Sequence, residues 1–431
     1  MKRVLIITYY WPPSGGAGVQ RWVKFVKYLP LIGWEPIVLT VDPAQATYPQ
    51  RDESLLKEIS KEAAVFHTRT REIYSMYKKV SSNKDVPYGG FANTTVLDWK
   101  EKIMRFIRGN FFLPDPRRGW NRFAYKKAKE LISTYGITHV VTTSPPHSTQ
   151  LIGLKLKKNL KICWLADLRD PWTGIYYREQ LYPAFWASWY NRSREKKVMA
   201  AADKVIVVSQ DMKERFLSKT QVPSGKIEVI FNGFDEEDFA NQSGSIPAGK
   251  IVITYAGTIA SGYPVEGLLQ AFSLLPETDQ ALFHFRFIGK ISAEIQQKFL
   301  SAIPETQFEN LGYIEHARIP GLLVQSSVLL LVIPDAPDNK GILTGKLFEY
   351  LASRRPVLLL GPVDGDAAAI IRETESGYTC DPGDISAITV VLNQLAGDLN
   401  LKPVKQYGNQ KVIAFSRKAL TEKLSEILNK L

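Results

Sequence analysis

Four stretches of the chain combine residue types that could carry chemistry. The first is Tyr9-Tyr10-Trp11-Pro12-Pro13-Ser14-Gly15-Gly16-Ala17-Gly18, which follows an apolar run and opens a helical pattern from Val19 to about Leu31. Adjacent glycines at a strand-to-helix turn let backbone N–H groups approach an anion, and the helix start adds favourable partial charge. The spacing is neither the dinucleotide fingerprint nor a Walker A loop. Gly15 and Gly16 therefore read as an anion-binding turn or as a structural one. The second stretch, Ser144-Pro145-Pro146-His147-Ser148, sets His147 at the C-terminal edge of a strand, where ligands bind in doubly wound sheets. A histidine there can pack, cap or meet substrate. In the third, Asp167, Arg169 and Asp170 end a buried strand. Isolated charge is very unfavourable there, so these residues pair to fix a loop, meet a ligand, or do both. The fourth runs from Lys340 to Ala352. Thr344 and Gly345 would start a helix whose free N–H groups can hold a diphosphate, with Lys346 adding charge. Glu349 falls about one turn further in, where a carboxylate can accept two hydrogen bonds from a ribose diol.

These stretches need a scaffold, and the chain supplies short β-branched runs alternating with helical patterns. The runs are Val4–Thr8, Pro36–Thr40, His139–Thr143, Ile162–Ala166 and Lys204–Ser209, then Ile251–Tyr255, His284–Ile288, Val328–Ile333 and Pro356–Leu360. Continuous apolar strands separated by helices predict parallel sheets covered on both faces. Val229–Asp235 reads as the crossing into a second domain, and Asn241–Lys250 as a loop inside it. Residues 81–120 fit this scheme poorly.

Composition narrows the class. Of the 431 residues, 45% are hydrophobic and 23% charged, which excludes wholesale disorder, collagen and coiled coil. Two cysteines and five histidines exclude a disulfide scaffold, a cysteine-based zinc cluster and a His-rich metal protein. The net charge of +12 is uneven: residues 1–230 carry +18 and residues 231–431 carry −6. Such a basic half orients toward an anionic surface. Within Val96–Asn110, Trp99, Ile103, Phe106 and Ile107 share one helical face, flanked by Lys100, Lys102, Arg105 and Arg108. That helix either packs on the core or lies in a membrane interface. The aromatic run Leu181–Tyr190 poses the same choice. No apolar run is long enough to span a bilayer, and the N-terminus lacks a signal-peptide pattern. The protein is expected in the cytoplasm, either free there or peripheral on the inner face of the cell membrane. Basic charge alone would support a nucleic-acid binder, and no recognition motif accompanies it.

In order and spacing, these motifs resemble the glycosyltransferases of family 4. The resemblance spans nearly the whole chain. It is carried by Gly15-Gly16-Ala17-Gly18, Ser144–Ser148, Asp167-Leu-Arg-Asp-Pro-Trp172, Ala202–Ser209, Ile230–Asp235, Tyr255-Ala-Gly-Thr258, Gly345–Ala352 and a final helix near Phe415–Leu431. It implies an α/β fold of GT-B architecture, with two facing Rossmann-like domains. Residues 1–230 would form the acceptor-side domain, joined by the returning helix 415–431. Residues 231–414 would bind a nucleotide sugar. It also implies metal-independent, retaining transfer of a sugar, without a cofactor, to a saccharide or lipid-linked acceptor. The Asp-Pro-Trp and Lys-Leu-Phe-Glu-Tyr-Leu pieces are similar to the branch that builds bacterial surface polysaccharides. The implied mechanism is front-face departure of the nucleotide diphosphate. His147 would touch the donor sugar, and Arg169 and Asp170 would orient sugar or phosphate.

The chain departs from the family pattern in two places. Glu349 matches the second glutamate of a Glu-x7-Glu pair, but Gly341 stands at the first. Thr258 occupies the usual arginine position, and Tyr263-Pro264-Val265 lacks the usual lysine. A leaving diphosphate gains charge, so other groups must meet it. Lys346, Lys340 and Arg169 are the candidate cations, supported by the Gly15-Gly16 turn and the Thr344–Lys346 helix end. A nucleotide-sugar epimerase of the same architecture is the rival reading.

Overall fold

The computed structural model describes residues 1–431 except 61, 73–98, 241, 243, 246–248 and 400–406. The part of the irregular stretch from 81 to 98, with Val96–Asp98 of the expected helix, lies outside the described residues, as does part of the Asn241–Lys250 loop. The chain separates into two compact units. One comprises Met1–Asn232 with Arg417–Leu431, the other Gly233–Ser416.

The first unit holds strands β1 (Lys2–Ile7), β2 (Trp34–Val41), β3 (Ala64–Thr68), β4 (His139–Ser144), β5 (Cys163–Leu168), β6 (Lys204–Val207) and β7 (Ile227–Val229). They form a parallel sheet in the order β3-β2-β1-β4-β5-β6-β7. Its helices are α1 (Ala17–Tyr28), α2 (Trp99–Phe111), α3 (Asn121–Tyr135), α4 (Ser148–Asn159), α5 (Phe185–Ala201) and α6 (Gln210–Thr220). Alternation along β1 explains how both sheet faces are covered. Leu5 and Ile7 pack with Ala124, Ala128 and Leu131 of α3 and with Ile152 and Leu156 of α4. Val4 and Ile6 face the other way, against Trp22, Val23 and Val26 of α1. Leu420, Leu424, Ile427 and Leu428 of the last helix (Arg417–Asn429) join that second core. Burying such aliphatic side chains is worth roughly 1.5–3 kcal/mol each as an upper bound, so this helix belongs to the first unit's core. Lys2 Nζ donating to Asn429 Oδ1 at 2.8 Å and Trp34 Nε1 donating to Ser425 Oγ at 3.1 Å tie it down further.

The second unit holds β8 (Ile251–Ala256), β9 (Phe283–Ile288), β10 (Phe308–Asn310), β11 (Val328–Val332), β12 (Val357–Leu360) and β13 (Gly377–Cys380). Its parallel order is β10-β9-β8-β11-β12-β13. Helices α7 (Glu266–Ser273), α8 (Glu277–Gln280), α9 (Ala293–Ala302), α10 (Ile319–Val324), α11 (Gly345–Ser353), α12 (Asp366–Glu373) and α13 (Ile385–Leu399) connect these strands, and the last helix, Arg417–Asn429, is α14. Each sheet reverses its order once, at β1/β4 and at β8/β11. Such switch points leave open space beyond the strand C-termini, where α/β proteins bind ligands.

Candidate active site

In the first unit, three loops leave the sheet beside its switch point, after β1, β4 and β5. The Gly15 amide donates to Gln50 O at 3.0 Å, so it is taken by the protein's own backbone. Gly16 caps α1 with φ +105° and no side-chain acceptor. Among the described residues, the amides of Gly16 and Gly18 meet no protein acceptor. Gly18 is required by a neighbour: a Cβ there would sit 1.4 Å from Arg169 Nη1. The Arg169 guanidinium thus lies against the start of α1. Arg169 Nε donates to Ser144 O at 3.1 Å and Nη2 to Pro145 O at 3.3 Å.

The charged triplet does not pair within itself. Asp167 is fully buried and is the hub of the unit. It accepts from Trp22 Nε1 at 2.7 Å, Thr143 Oγ1 at 2.7 Å and Arg21 Nη2 at 3.4 Å. Arg21, also fully buried, donates again to Phe231 O at 2.6 Å. Burial holds the Arg21 pKa below the ordinary guanidinium value, against the opposing pull of Asp167. Asp170 is half-buried and makes no hydrogen bond among the described residues. Burial raises its carboxyl above the usual range, while Arg169 pulls it back. Asp170 therefore presents an unengaged carboxyl next to a cation already turned toward the β4 loop.

His147 precedes the first turn of α4, whose N-terminus is capped by Asp115. Ser148 N donates to Asp115 Oδ2 at 2.6 Å and Ser148 Oγ to Oδ1 at 2.8 Å. The His147 ring stacks on Trp172 at 5.2 Å, with 7° between the planes, and its Nδ1 is buried without a partner. Burial, with Arg169 and Arg178 adding to it, pushes its pKa down to about 3. The imidazole is neutral at physiological pH and can offer one donor or one acceptor to a ligand.

In the second unit, the register of α11 decides the site. Tyr350, fully buried, accepts the Ala256 N–H at 2.9 Å and fixes the helix to the end of β8. Lys346 lies one turn earlier on the same face. Its Nζ donates to Tyr255 OH at 2.5 Å and to Thr258 O at 3.4 Å, and stands 4.1 Å from the Tyr255 ring centroid. Gly257, at φ +114°, leaves room for it: a Cβ there would meet Lys346 Cε at 2.4 Å. Burial lowers the Lys346 pKa to about 7, against the raising influence of Glu349. The amides of Thr344, Gly345 and Lys346 find no acceptor among the described residues, and Thr344 Oγ1 is buried and unpartnered. Glu349 Oε1 stands 3.2 Å from His316 Nε2. Lys340 instead forms an exposed ion pair with Asp364.

The structure thus joins Thr258, Thr344, Gly345 and Lys346 at the switch-point end of one sheet, with Glu349 on the next turn. It joins Gly16, Arg169 and the β4 loop in the other unit. Sequence reasoning missed Tyr255, His316, Gly18 and the Arg21–Asp167 pair. Tyr255 lay within a quoted motif without a role. His316 carries no local signal, because 33 residues separate it from Glu349. Among the described residues, no group of three His, Cys, Asp or Glu side chains could hold a metal ion.

Comparison with known proteins adds a resemblance over part of the chain. Residues 92–238 match the profile of Glycosyltransferase Family 4. A probable glycosyltransferase of Pseudomonas aeruginosa, WbjE, is 22% identical over 210 residues, covering 46% of this chain and 50% of that protein. The match thus spans about half the length of this curated relative. The crystal structure of a glycosyltransferase from Rickettsia africae superposes over 100% of this chain and 98% of its own, with a TM-score of 0.65 at 17% identity. Anabaena HepE in complex with UDP covers 100% of both chains, with a TM-score of 0.63 at 14% identity. These likenesses establish the fold: α/β, of GT-B architecture.

Proposed function

We propose that this glycosyltransferase moves a sugar from a nucleotide-diphosphate donor to a saccharide or lipid-linked acceptor, with retained anomeric configuration and no metal. The observation that carries this reading is the Lys346 cluster. The cation missing from the β8 loop at Thr258 arrives instead from α11, held at Thr258 O by the Tyr350–Ala256 anchor. Beside it stand the unpaired amides of Thr344–Lys346. A diphosphate there would meet N–H donors and an ammonium in a partly desolvated setting, where leaving-group charge is best stabilised. Glu349 would then receive the ribose hydroxyls, oriented by His316. UDP bound in the HepE complex supports a nucleotide at this fold.

In the first unit we assign neutral His147 to the donor sugar, with Arg169 and Asp170 orienting sugar or phosphate. Lys340 is tied to Asp364 and is the weakest of the candidate cations. The Asp-Pro-Trp and Lys-Leu-Phe-Glu-Tyr-Leu motifs support a place in surface-polysaccharide assembly. A thermal-shift screen of UDP-, GDP- and dTDP-sugars tests the proposal. Bound ligand adds stability as RT ln(1 + [L]/Kd), so one donor class should raise the melting temperature. Lys346→Ala and Glu349→Ala should each reduce that rise. No shift with any nucleotide sugar, or a shift indifferent to both variants, overturns it.

A further inference from the structure

Helix α2 turns Arg105 and Asn110 inward and its aromatic residues outward. Arg105 is 7% exposed and Asn110 is fully buried, whereas Trp99 is 65% and Phe111 68% exposed, and Ile103, Phe106 and Ile107 are exposed with them. Local contacts fix this rotation. A Cβ on Gly109 would lie 2.3 Å from Leu181 O, so the glycine admits the neighbouring segment. Asn110 Nδ2 donates to Tyr182 O at 3.0 Å, and its Oδ1 accepts from Ala184 N at 2.7 Å.

Helix α5 begins where that segment ends, and it repeats the pattern. Phe185 is 79% and Trp189 60% exposed, with Trp186 exposed between them. Its buried face holds Asn191, which accepts from Trp172 Nε1 at 3.0 Å, and Glu195, which accepts from Thr173 N at 3.0 Å. An edge contact between Phe111 and Trp186, with centroids 5.9 Å apart, joins the two aromatic faces. The outward face of α5 continues past Trp189 into exposed Arg192, Lys196 and Lys197, and exposed Lys102 flanks the aromatics of α2.

An exposed apolar patch of this extent marks an interaction surface. Indole and phenyl rings edged by Lys and Arg match a lipid headgroup layer: rings settle at the acyl boundary, and the cations meet anionic phosphates. Among the described residues no helix is long and apolar enough to cross a membrane, so contact would be parallel to the surface. We infer that the joined outer faces of α2 and α5 dock the protein on an anionic bilayer. This stands apart from the sugar-transfer reading, because its test reads lipid binding and needs no donor or acceptor.

The test is sedimentation of the full chain with phosphatidylcholine vesicles, alone or with about 30% phosphatidylglycerol. The protein should pellet with the anionic vesicles at low salt, release as salt rises, and ignore pure phosphatidylcholine. A Phe185→Ser/Trp189→Ser variant, with an unchanged melting temperature because both rings are exposed, should bind about tenfold more weakly. Lys196→Gln and Lys197→Gln should each weaken binding about fivefold at low salt. Absence of pelleting at low salt overturns the inference, and so does undiminished binding by the aromatic variant. A dimer abolished by the same aromatic variant, with no vesicle binding, would overturn it by assigning the face to a second copy.

Discussion

Raising the pH from 7 to 9 should weaken binding of a nucleoside diphosphate about fiftyfold, through Lys346 alone. Its ammonium has a pKa of about 7 in the ligand-free protein because burial beside Tyr255 penalises the charge. A diphosphate rewards the same charge, so the bound lysine should titrate near its ordinary value of about 10.4. Above pH 7 the protein must then take up a proton to bind, and the loss of apparent affinity steepens toward about tenfold per pH unit, or about 1.4 kcal/mol. A terminal phosphate completes its ionisation near pH 6, so the window above 7 isolates the lysine. Calorimetry with UDP at pH 7, 8 and 9, in two buffers of different ionisation heat, reads both affinity and proton uptake. Uptake should approach one proton per site. Lys346→Arg keeps a permanent charge and should flatten the profile. A constant Kd between pH 7 and 9 without uptake, or an unchanged slope in Lys346→Arg, refutes the reasoning. The ligand-free protein has the matching signature: the unfolded chain holds more protons between about 7 and 10.4, so its stability rises with pH across that window.

Gly18→Ala should push the Arg169 guanidinium aside; turnover should drop about a hundredfold, as for small misplacements of a reacting set, with the melting temperature nearly unchanged because the clash is with a side-chain end. Asp167→Asn should cost about 3–5 kcal/mol in denaturant unfolding by leaving Arg21 buried and uncompensated, and adding Arg21→Met to it should recover most of that loss while the new amide oxygen still accepts from the Trp22 and Thr143 donors; equal losses would refute the pairing. The depressed His147 pKa makes the unfolded chain bind more protons between about 3 and 6.5. Stability should therefore fall as the pH drops through that range, and His147→Leu should flatten the dependence in acid titrations followed by circular dichroism. His316→Ala should raise the donor KM with kcat nearly kept, if its only task is to orient Glu349; a fall in kcat alone would place it elsewhere in the reaction.

The central strands were legible because strands covered on both faces must be apolar throughout. Val4–Ile7, Ile251–Ala256 and Val328–Val332 are buried along their whole length. Strands β3, β7, β10 and β13 lie at or beside sheet edges, are short and mix burial classes, so no run announced them. Lys346 and Glu349 could be read because one helix start carries both. Arg21 meets Asp167 from 146 residues away, and no local pattern can encode that meeting. For α2, periodicity grouped the aromatics onto one side, but the direction of that side depended on Gly109 and Asn110 finding Leu181–Ala184. The core-packed alternative for α2 and for Leu181–Tyr190 fails for that reason.

The Asp167 carboxylate couples three separate pieces of chain: α1 through Arg21 and Trp22, β4 through Thr143, and its own strand. Its carbonyl adds Gln150 of α4 and Ser144. The loops bearing Gly16, His147 and Arg169 therefore inherit one shared rigidity. Natural or engineered divergence in what this unit accepts has little freedom there, since altering any spoke disturbs the others. New selectivity would sooner arise in segments outside that wheel, such as the turn at Thr47–Arg51 or the run from Thr173 to Pro183.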